Sequence, residues 1–404
     1  MGVGCQVIDC AAMNKTPTSL SGVVYAPNGT LPLYGVRVYV PANGGDPGPL
    51  PAGATCDPCS AGFQGGVAID PTGKPVAATT DETGQFRIDN LPATDNLTVV
   101  IQAGKWRKLV TLATVSACAG VQLGATQTRF ARNHTEGDMP QIAVTTGGAD
   151  AVECLLRSLG IADSEFTSDR GTGRVHLYAG TGGSASAAGA ALSTATALWS
   201  STDKMKAYDM LLLSCEGGQN PGSKPATSIQ ALFDYTTLGG RVYLSHYHNI
   251  WLEQGPDTWP AVATFNNGGA SLTSATVSVD PSFDKAASFT AWLANAGASV
   301  TPGRITVTGA RESCVSVGSL GQGWLDVAAA AGGFDGVQMF DFTTPLSMPR
   351  ANRCGRVLFT DVHASPSSTP GSDFPTGCTT SAALTAQDKA LAFAIFQLGA
   401  CVGS

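Results

Sequence analysis

Two valine-rich runs in this chain open on Gly-Arg-Val and close on histidine. They are Gly240-Arg241-Val242-Tyr243-Leu244-Ser245-His246-Tyr247-His248 and Gly355-Arg356-Val357-Leu358-Phe359-Thr360-Asp361-Val362-His363, and they hold three of the five histidines. A short apolar run behind a glycine turn reads as a buried strand. In open α/β sheets ligands gather beyond the carboxyl ends of such strands, so imidazoles placed there are candidates for acid–base work or metal ligation. His246 or His363 is the expected base, with Asp361 orienting an imidazole and Glu216 as a further carboxylate. Side chains two apart on a strand share a face, which makes His246, His248 and His363 a candidate donor set for a divalent transition metal. Tyr247, Asn249 and Trp251, with Trp259, are expected to line a ligand pocket beside His248. Aromatic faces next to polar donors suit sugars, and they suit ordinary packing as well.

Cys215 closes another apolar run, Met210-Leu211-Leu212-Leu213-Ser214, just before Glu216-Gly217-Gly218. A thiol there becomes a nucleophile only if a base or helix dipole lowers its pKa; a buried free thiol or half of a disulfide is the structural alternative. Gly147-Gly148, between a strand and a helix, is a weak anion cradle. No G-x-G-x-x-G or phosphate-loop pattern accompanies it, so no nucleotide cofactor is expected. His134 and His176 read as surface or structural residues.

Only 13% of the 404 residues are charged and the net charge is -7. A nucleic-acid surface needs a basic stripe, and the richest cluster, Lys105-Trp106-Arg107-Lys108, is one strand-sized patch, so nucleic acid is not an expected partner. No apolar stretch reaches the roughly 20 residues that cross a bilayer, and no secretory leader pattern is visible. Met1-Gly2-Val3-Gly4-Cys5 has a faint likeness to the junction before a lipid-modified cysteine. Eleven cysteines among Gly- and Pro-rich loops suit an oxidising compartment, so an extracellular, periplasmic or cell-surface location is expected. Cys56-Asp57-Pro58-Cys59 has the spacing of a zinc knuckle, which Cys5 and Cys10 could complete as a four-sulfur set, or of a redox dithiol, but disulfides stapling the N-terminal tail are favoured.

The elements implied by periodicity divide the chain. Residues 1–18 form a cysteine-containing tail. Over 19–125, short strands with Asn, Asp and Gly turns and no helical period indicate a small antiparallel β-sandwich. Residues 126–139 read as a linker. From 140 to 404, strands alternate with helical stretches at 151–159, 226–238, 283–296 and 384–398, which predicts a flavodoxin-like parallel sheet covered by helices. The fold class is therefore α/β with an added all-β domain.

The segments S-G-V-V-Y, G-V-R-V-Y-V and T-T-D-E-T-G-Q-F-R-I-D-N-L-P resemble the carboxypeptidase-regulatory-like domain, a transthyretin-like sandwich that usually serves as a rigid accessory module. Y-D-M-L-L-L-S-C-E-G-G, L-F-D-Y-T-T-L-G-G-R-V-Y-L-S-H-Y-H and C-G-R-V-L-F-T-D-V-H resemble, in order, the ThuA-like branch of the class I glutamine-amidotransferase fold, with 266–336 matching poorly. In true amidotransferases a cysteine occupies the strand-to-helix elbow. Here the resemblance places Ser245-His246-Tyr247 there, so amidotransfer is not expected.

The leading expectation is an exported two-domain protein with a carbohydrate-type or other polar ligand at the histidine-bearing strand ends, and with hydrolysis as the chemistry if it is an enzyme. Two alternatives stand beside it: a non-catalytic surface or adhesive scaffold engaging a cell-surface component, and a transition-metal-binding protein.

Overall fold

The computed structural model describes residues 2–327, 336–365, 369, 371–378 and 383–402. The chain forms two compact units, one made of Met1–Pro51 with Ser60–Met139 and the other of Ala52–Cys59 with Pro140–Ser404.

The first unit contains a three-stranded sheet, with Ser19–Val23 between Gln85–Asp89 and Gly120–Gln122, and a four-stranded antiparallel sheet ordered Ala77–Thr79, Arg37–Tyr39, Asp95–Ala103, Trp106–Thr114. Phe86 and Ile88 are buried while Gln85, Arg87 and Asp89 are exposed, the period-two alternation of a strand with one face on a core. The supposed linker belongs to this unit. Phe130 and Ala131 are buried, and Asp138 pairs at 2.7 Å with Arg107, itself only 4% exposed. An apolar pair and an ion partner hold a segment whose lack of periodicity had suggested a free connector. The same ion pair withdraws Arg107 from the basic patch.

The second unit is built on a ten-stranded sheet. Six parallel strands run Gly355–Thr360, Arg241–Ser245, Met210–Leu213, Ile142–Thr146, Val175–Ala179, Phe166–Ser168. Beyond Gly355–Thr360 the sheet continues antiparallel through Val337–Thr344, Gln322–Val327, Ser271–Val279 and Arg304–Arg311. The sheet is thus mixed rather than purely parallel. Three of its four antiparallel strands fall in the 266–336 stretch that matched the ThuA-like resemblance poorly.

The parallel strands read as continuous apolar runs because both faces are covered. Leu211, Val242, Leu244, Val357 and Phe359 share one core with Trp199, Trp251 and Trp259. The glycines opening both Gly-Arg-Val runs are demanded by helix Ala226–Thr237. A Cβ at Gly240 would meet the Tyr235 ring at 2.3 Å, and one at Gly355 would meet Thr236 O at 2.1 Å. The last helix, Ala386–Gly399, begins with a Thr385–Asp388 capping box that satisfies its first amides.

Four disulfides are present: Cys10–Cys118, Cys56–Cys354, Cys59–Cys401 and Cys154–Cys378. Cys5 is an exposed free thiol, which corrects its expected pairing. Cys56 and Cys59 bond to distant cysteines of the second unit rather than to the tail, so no four-sulfur zinc knuckle forms. Sequence spacing cannot foresee partners 298 and 342 residues away. No helix among the described residues is long and apolar enough to cross a membrane.

Candidate metal centre

Three strand ends converge. Cys215 follows Met210–Leu213, His246 follows Arg241–Ser245, and His363 lies three residues past Gly355–Thr360. One donor atom from each, a sulfur and two imidazole nitrogens, lie within 4.8 Å of one another. Cys215 Sγ is 3.5 Å from His246 Nδ1, and the His246 and His363 rings meet edge-on with centroids 5.2 Å apart. Zn–S and Zn–N bonds of about 2.3 and 2.0–2.1 Å imply tetrahedral donor separations of roughly 3.3–3.7 Å, so the sulfur–nitrogen edge is already in place.

Neighbouring backbone fixes each donor. His246 has φ 45°, a strained value for a residue with a Cβ, and it turns the chain sharply from the strand into the 3-10 turn His246–Asn249. Cys215 O accepts from Ala149 N at 3.0 Å, and its sulfur receives Gly217 N–H at 3.4 Å. His363 O accepts from Gln387 Nε2 at 2.8 Å, Ala364 N donates to Asp150 Oδ1 at 2.8 Å, and Ser365 N donates to Asp388 Oδ1 at 2.7 Å. Asp150 Oδ2 also accepts from Ser245 Oγ at 2.5 Å. This one buried carboxylate therefore ties together the residues next to both histidines. Sequence reading missed Asp150; its signal was an isolated acid two residues beyond the glycine pair. Gly148 N donates to Thr181 O and Ala151 N to Asp150 Oδ1, so neither amide is offered to an outside anion.

The electrostatics favour neutral donors. Burial, together with His363 and Arg311, lowers His246 to about 3, and burial with Arg311 lowers His363 to about 4. Both rings are neutral at pH 7, so each carries one nitrogen lone pair. Burial pushes the Cys215 thiol up to about 12, so without a competing cation its proton stays on sulfur. That opposes an unaided cysteine nucleophile. A metal ion that displaces the proton removes the obstacle. His363 Nε2 is buried with no hydrogen-bond partner among the described residues, and buried polar atoms are seldom left so.

The other expected site residues have different tasks. His248 is not a donor beside His246, because the strand ends at Ser245 and the following turn swings the ring away. Its Nε2 bonds Ser214 O at 3.0 Å and its Nδ1 accepts from Trp251 Nε1 at 2.9 Å. Both nitrogens are occupied, and the ring anchors the residue before Cys215. Trp251 is fully buried against Trp199 and presents no face to a ligand. Asn249 is also buried, accepting from Gln219 and donating to Asn267.

Glu216 Oε2 sits 2.6 Å from Lys224 Nζ in a buried ion pair, and its Oε1 accepts from Thr181 N. Breaking such a pair is costly, which fits a structural role. Asp361 does not orient an imidazole. Its oxygens accept from Ser313 N, Ser313 Oγ and Cys314 N at 2.6–3.0 Å, so it clamps a loop to the sheet, and burial raises its carboxyl to about 6. Of the expected ligand-lining residues only Tyr247 is half-buried, with its ring 4.0 Å from His246. Trp259 is core. His176 bonds the Tyr208 hydroxyl at 2.9 Å, away from the centre.

No family model matches this sequence, and no curated protein matches it. Among solved structures the chain is similar to ThuA-like proteins from Bacteroides uniformis (10% identity, 64% of this chain and 89% of that chain, TM-score 0.32) and Parabacteroides merdae (12% identity, 65% and 91%, TM-score 0.33). It is also similar to the mmIFT52 N-terminal domain (10% identity, 64% and 97%, TM-score 0.35). These are likenesses of chain path at low identity, and none bears on chemistry.

Proposed function

We propose that the second unit holds one transition-metal ion of the zinc class on Cys215 and the imidazoles of His246 and His363. In this reading the chain is an exported or cell-surface protein whose ThuA-like domain applies that ion to a small polar ligand of carbohydrate type, and the first unit is a carboxypeptidase-regulatory-like accessory sandwich. One observation carries the reading: a thiol and two neutral imidazoles gathered within 4.8 Å, with His363 Nε2 lacking any other partner among the described residues. Three protein donors leave a fourth tetrahedral position, where such an ion acidifies water or polarises a substrate oxygen. Hydrolysis is the reaction class that fits. Tyr247 is the aromatic side chain left beside the centre. Four disulfides support an oxidising compartment.

Protein purified without a histidine tag, loaded with Zn²⁺ and dialysed, should retain one equivalent by elemental analysis. Co²⁺ should give a thiolate charge-transfer band that Cys215→Ser abolishes, and His363→Ala should lower occupancy. Retention below about a tenth of an equivalent by a folded protein overturns the assignment.

A second reading is supported by the internal satisfaction of Glu216, His248, Asn249 and Asp361: a non-catalytic surface scaffold that kept the fold. A metal-free, fully stable protein supports it.

A further inference from the structure

The Gly-Arg-Val openings carry charges that the metal centre does not use. Arg241 and Arg356 stand directly opposite in the parallel pairing of their strands, at the end of the sheet away from the histidines. Like charges so placed destabilise a sheet, and among the described residues neither guanidinium has a well-formed carboxylate partner. Arg241, 5% exposed, donates to the carbonyls of Gly239, Cys354 and Ala400. Arg356 Nη1 donates to Gln397 O at 2.8 Å. Its buried Nε lies 3.3 Å from Asp341 Oδ2 without hydrogen-bond alignment, while Asp341 Oδ1 accepts from Trp324 Nε1.

Arg356 borders a cavity of about 420 Å³ that Lys285, Arg350 and Arg353 also line, a volume in the range of small-molecule sites. Arg353 spends its guanidinium on the carbonyls of Met348, Thr343 and Leu346. Lys285 Nζ donates to Gln397 Oε1 at 2.6 Å. Arg350 meets Asp284 at 3.1 Å, with both side chains more than half exposed. Four cations thus face two carboxylates, Asp284 and Asp341. Burial and the Arg356 guanidinium lower the Lys285 ammonium to about 8, as an excess of positive charge in a poorly solvated space requires.

We propose that this cavity binds the oxyanion group, phosphate or carboxylate, of a small soluble ligand, held by Arg356 and Arg350 with Lys285 completing the charge. Guanidinium forks match such groups in geometry and charge. An anion here also relieves the Arg241–Arg356 repulsion and gives Arg356 Nε a partner.

Calorimetric titration with inorganic phosphate and, separately, with acetate tests the site at ionic strength held constant with chloride. Saturable binding of at least one anion is expected, weakened about tenfold or more in Arg350→Gln/Lys285→Gln with no change in metal content. Arg350 is exposed and Lys285 is replaced by a neutral hydrogen-bonding side chain, so the double variant is expected to fold, which circular dichroism checks. Binding of phosphate alone assigns a phosphoryl ligand, and binding of acetate alone a carboxylate. Absence of saturable binding by either anion, or equal binding by wild type and the folded double variant, overturns the site.

Discussion

Gly147→Ala should damage the metal centre without touching a donor. A Cβ at Gly147 would lie 2.1 Å from Cys215 O, 2.6 Å from Cys215 C and 2.8 Å from Ser214 O. All three are backbone atoms, so no side chain can swing aside. Restoring a contact of at least 3.0 Å requires one strand end to retreat by about 0.9 Å in a close-packed interior. That retreat loosens the 3.0 Å bond from Ala149 N to Cys215 O and moves the sulfur from its 3.5 Å station beside His246 Nδ1. Overpacking of this kind costs about 1–3 kcal/mol, and loss of donor positioning costs about 10–100-fold in metal affinity. Gly148→Ala is the control, since its Cβ first meets Gly182 at 3.2 Å and neither glycine has a positive φ. Zn²⁺ affinity measured against a chromophoric chelator reads the second effect, and the unfolding midpoint of metal-free protein reads the first. A Gly147→Ala affinity within about threefold of wild type, or an equal loss in Gly148→Ala, refutes the reasoning.

Eleven cysteines and four disulfides leave Cys5, Cys215 and Cys314 as thiols, of which only Cys5 is exposed. A thiol reagent should titrate one group in native metal-free protein and three in unreduced denaturant; a denatured count other than three contradicts the four disulfides, and a native count other than one contradicts the burial of Cys215 and Cys314. Asp150, 5% exposed, has its carboxyl raised by burial from 3.8 to about 6. Between those values the native state keeps a proton that the unfolded chain has released, so this stabilisation is full below about pH 4 and is lost as pH rises through about 6, a change of roughly 3 kcal/mol. Asp150→Asn should flatten that part of the urea-unfolding profile, and an unchanged slope between pH 4 and 6 would count against it.

The parts of the molecule that were legible in sequence are those whose physics is local. Apolar runs bounded by glycine gave the central strands, since a strand buried on both faces has no other pattern available. The helices at 226–238 and 384–398 were found within a residue or two of Ala226–Thr237 and Ala386–Gly399 because their apolar periodicity is strong. Strands such as Ser271–Val279, with alternating exposed serines and threonines, lie on the antiparallel extension and carry too little hydrophobic contrast to be read. His248 was misplaced for a different reason. The face-sharing rule holds only while the strand lasts, and it ends at Ser245, before either histidine, where the positive φ of His246 turns the chain.

The centre's donors were visible because histidine and cysteine are chemically conspicuous, whereas the groups that aim them were not. Asp150 stands alone between alanines, while Gln387 and Asp388 belong to the short polar run Gln387-Asp388-Lys389 at the start of the last helix; each acts on groups beside the donors rather than on a donor side chain: Asp150 on Ala364 N and Ser245 Oγ, Gln387 on His363 O, Asp388 on Ser365 N. Neutral donors exert little long-range attraction on one another, so in the absence of an ion their convergence must come from covalent geometry and from such bonds. A buried polar group without a partner costs about 1–3 kcal/mol; these three residues are each fully engaged, whereas His363 Nε2 and, beside Cys215, Ser214 Oγ have no hydrogen-bond partner among the described residues. An imidazole nitrogen left unmatched beside a thiol and a second imidazole is what is expected where an external ion supplies the missing bond.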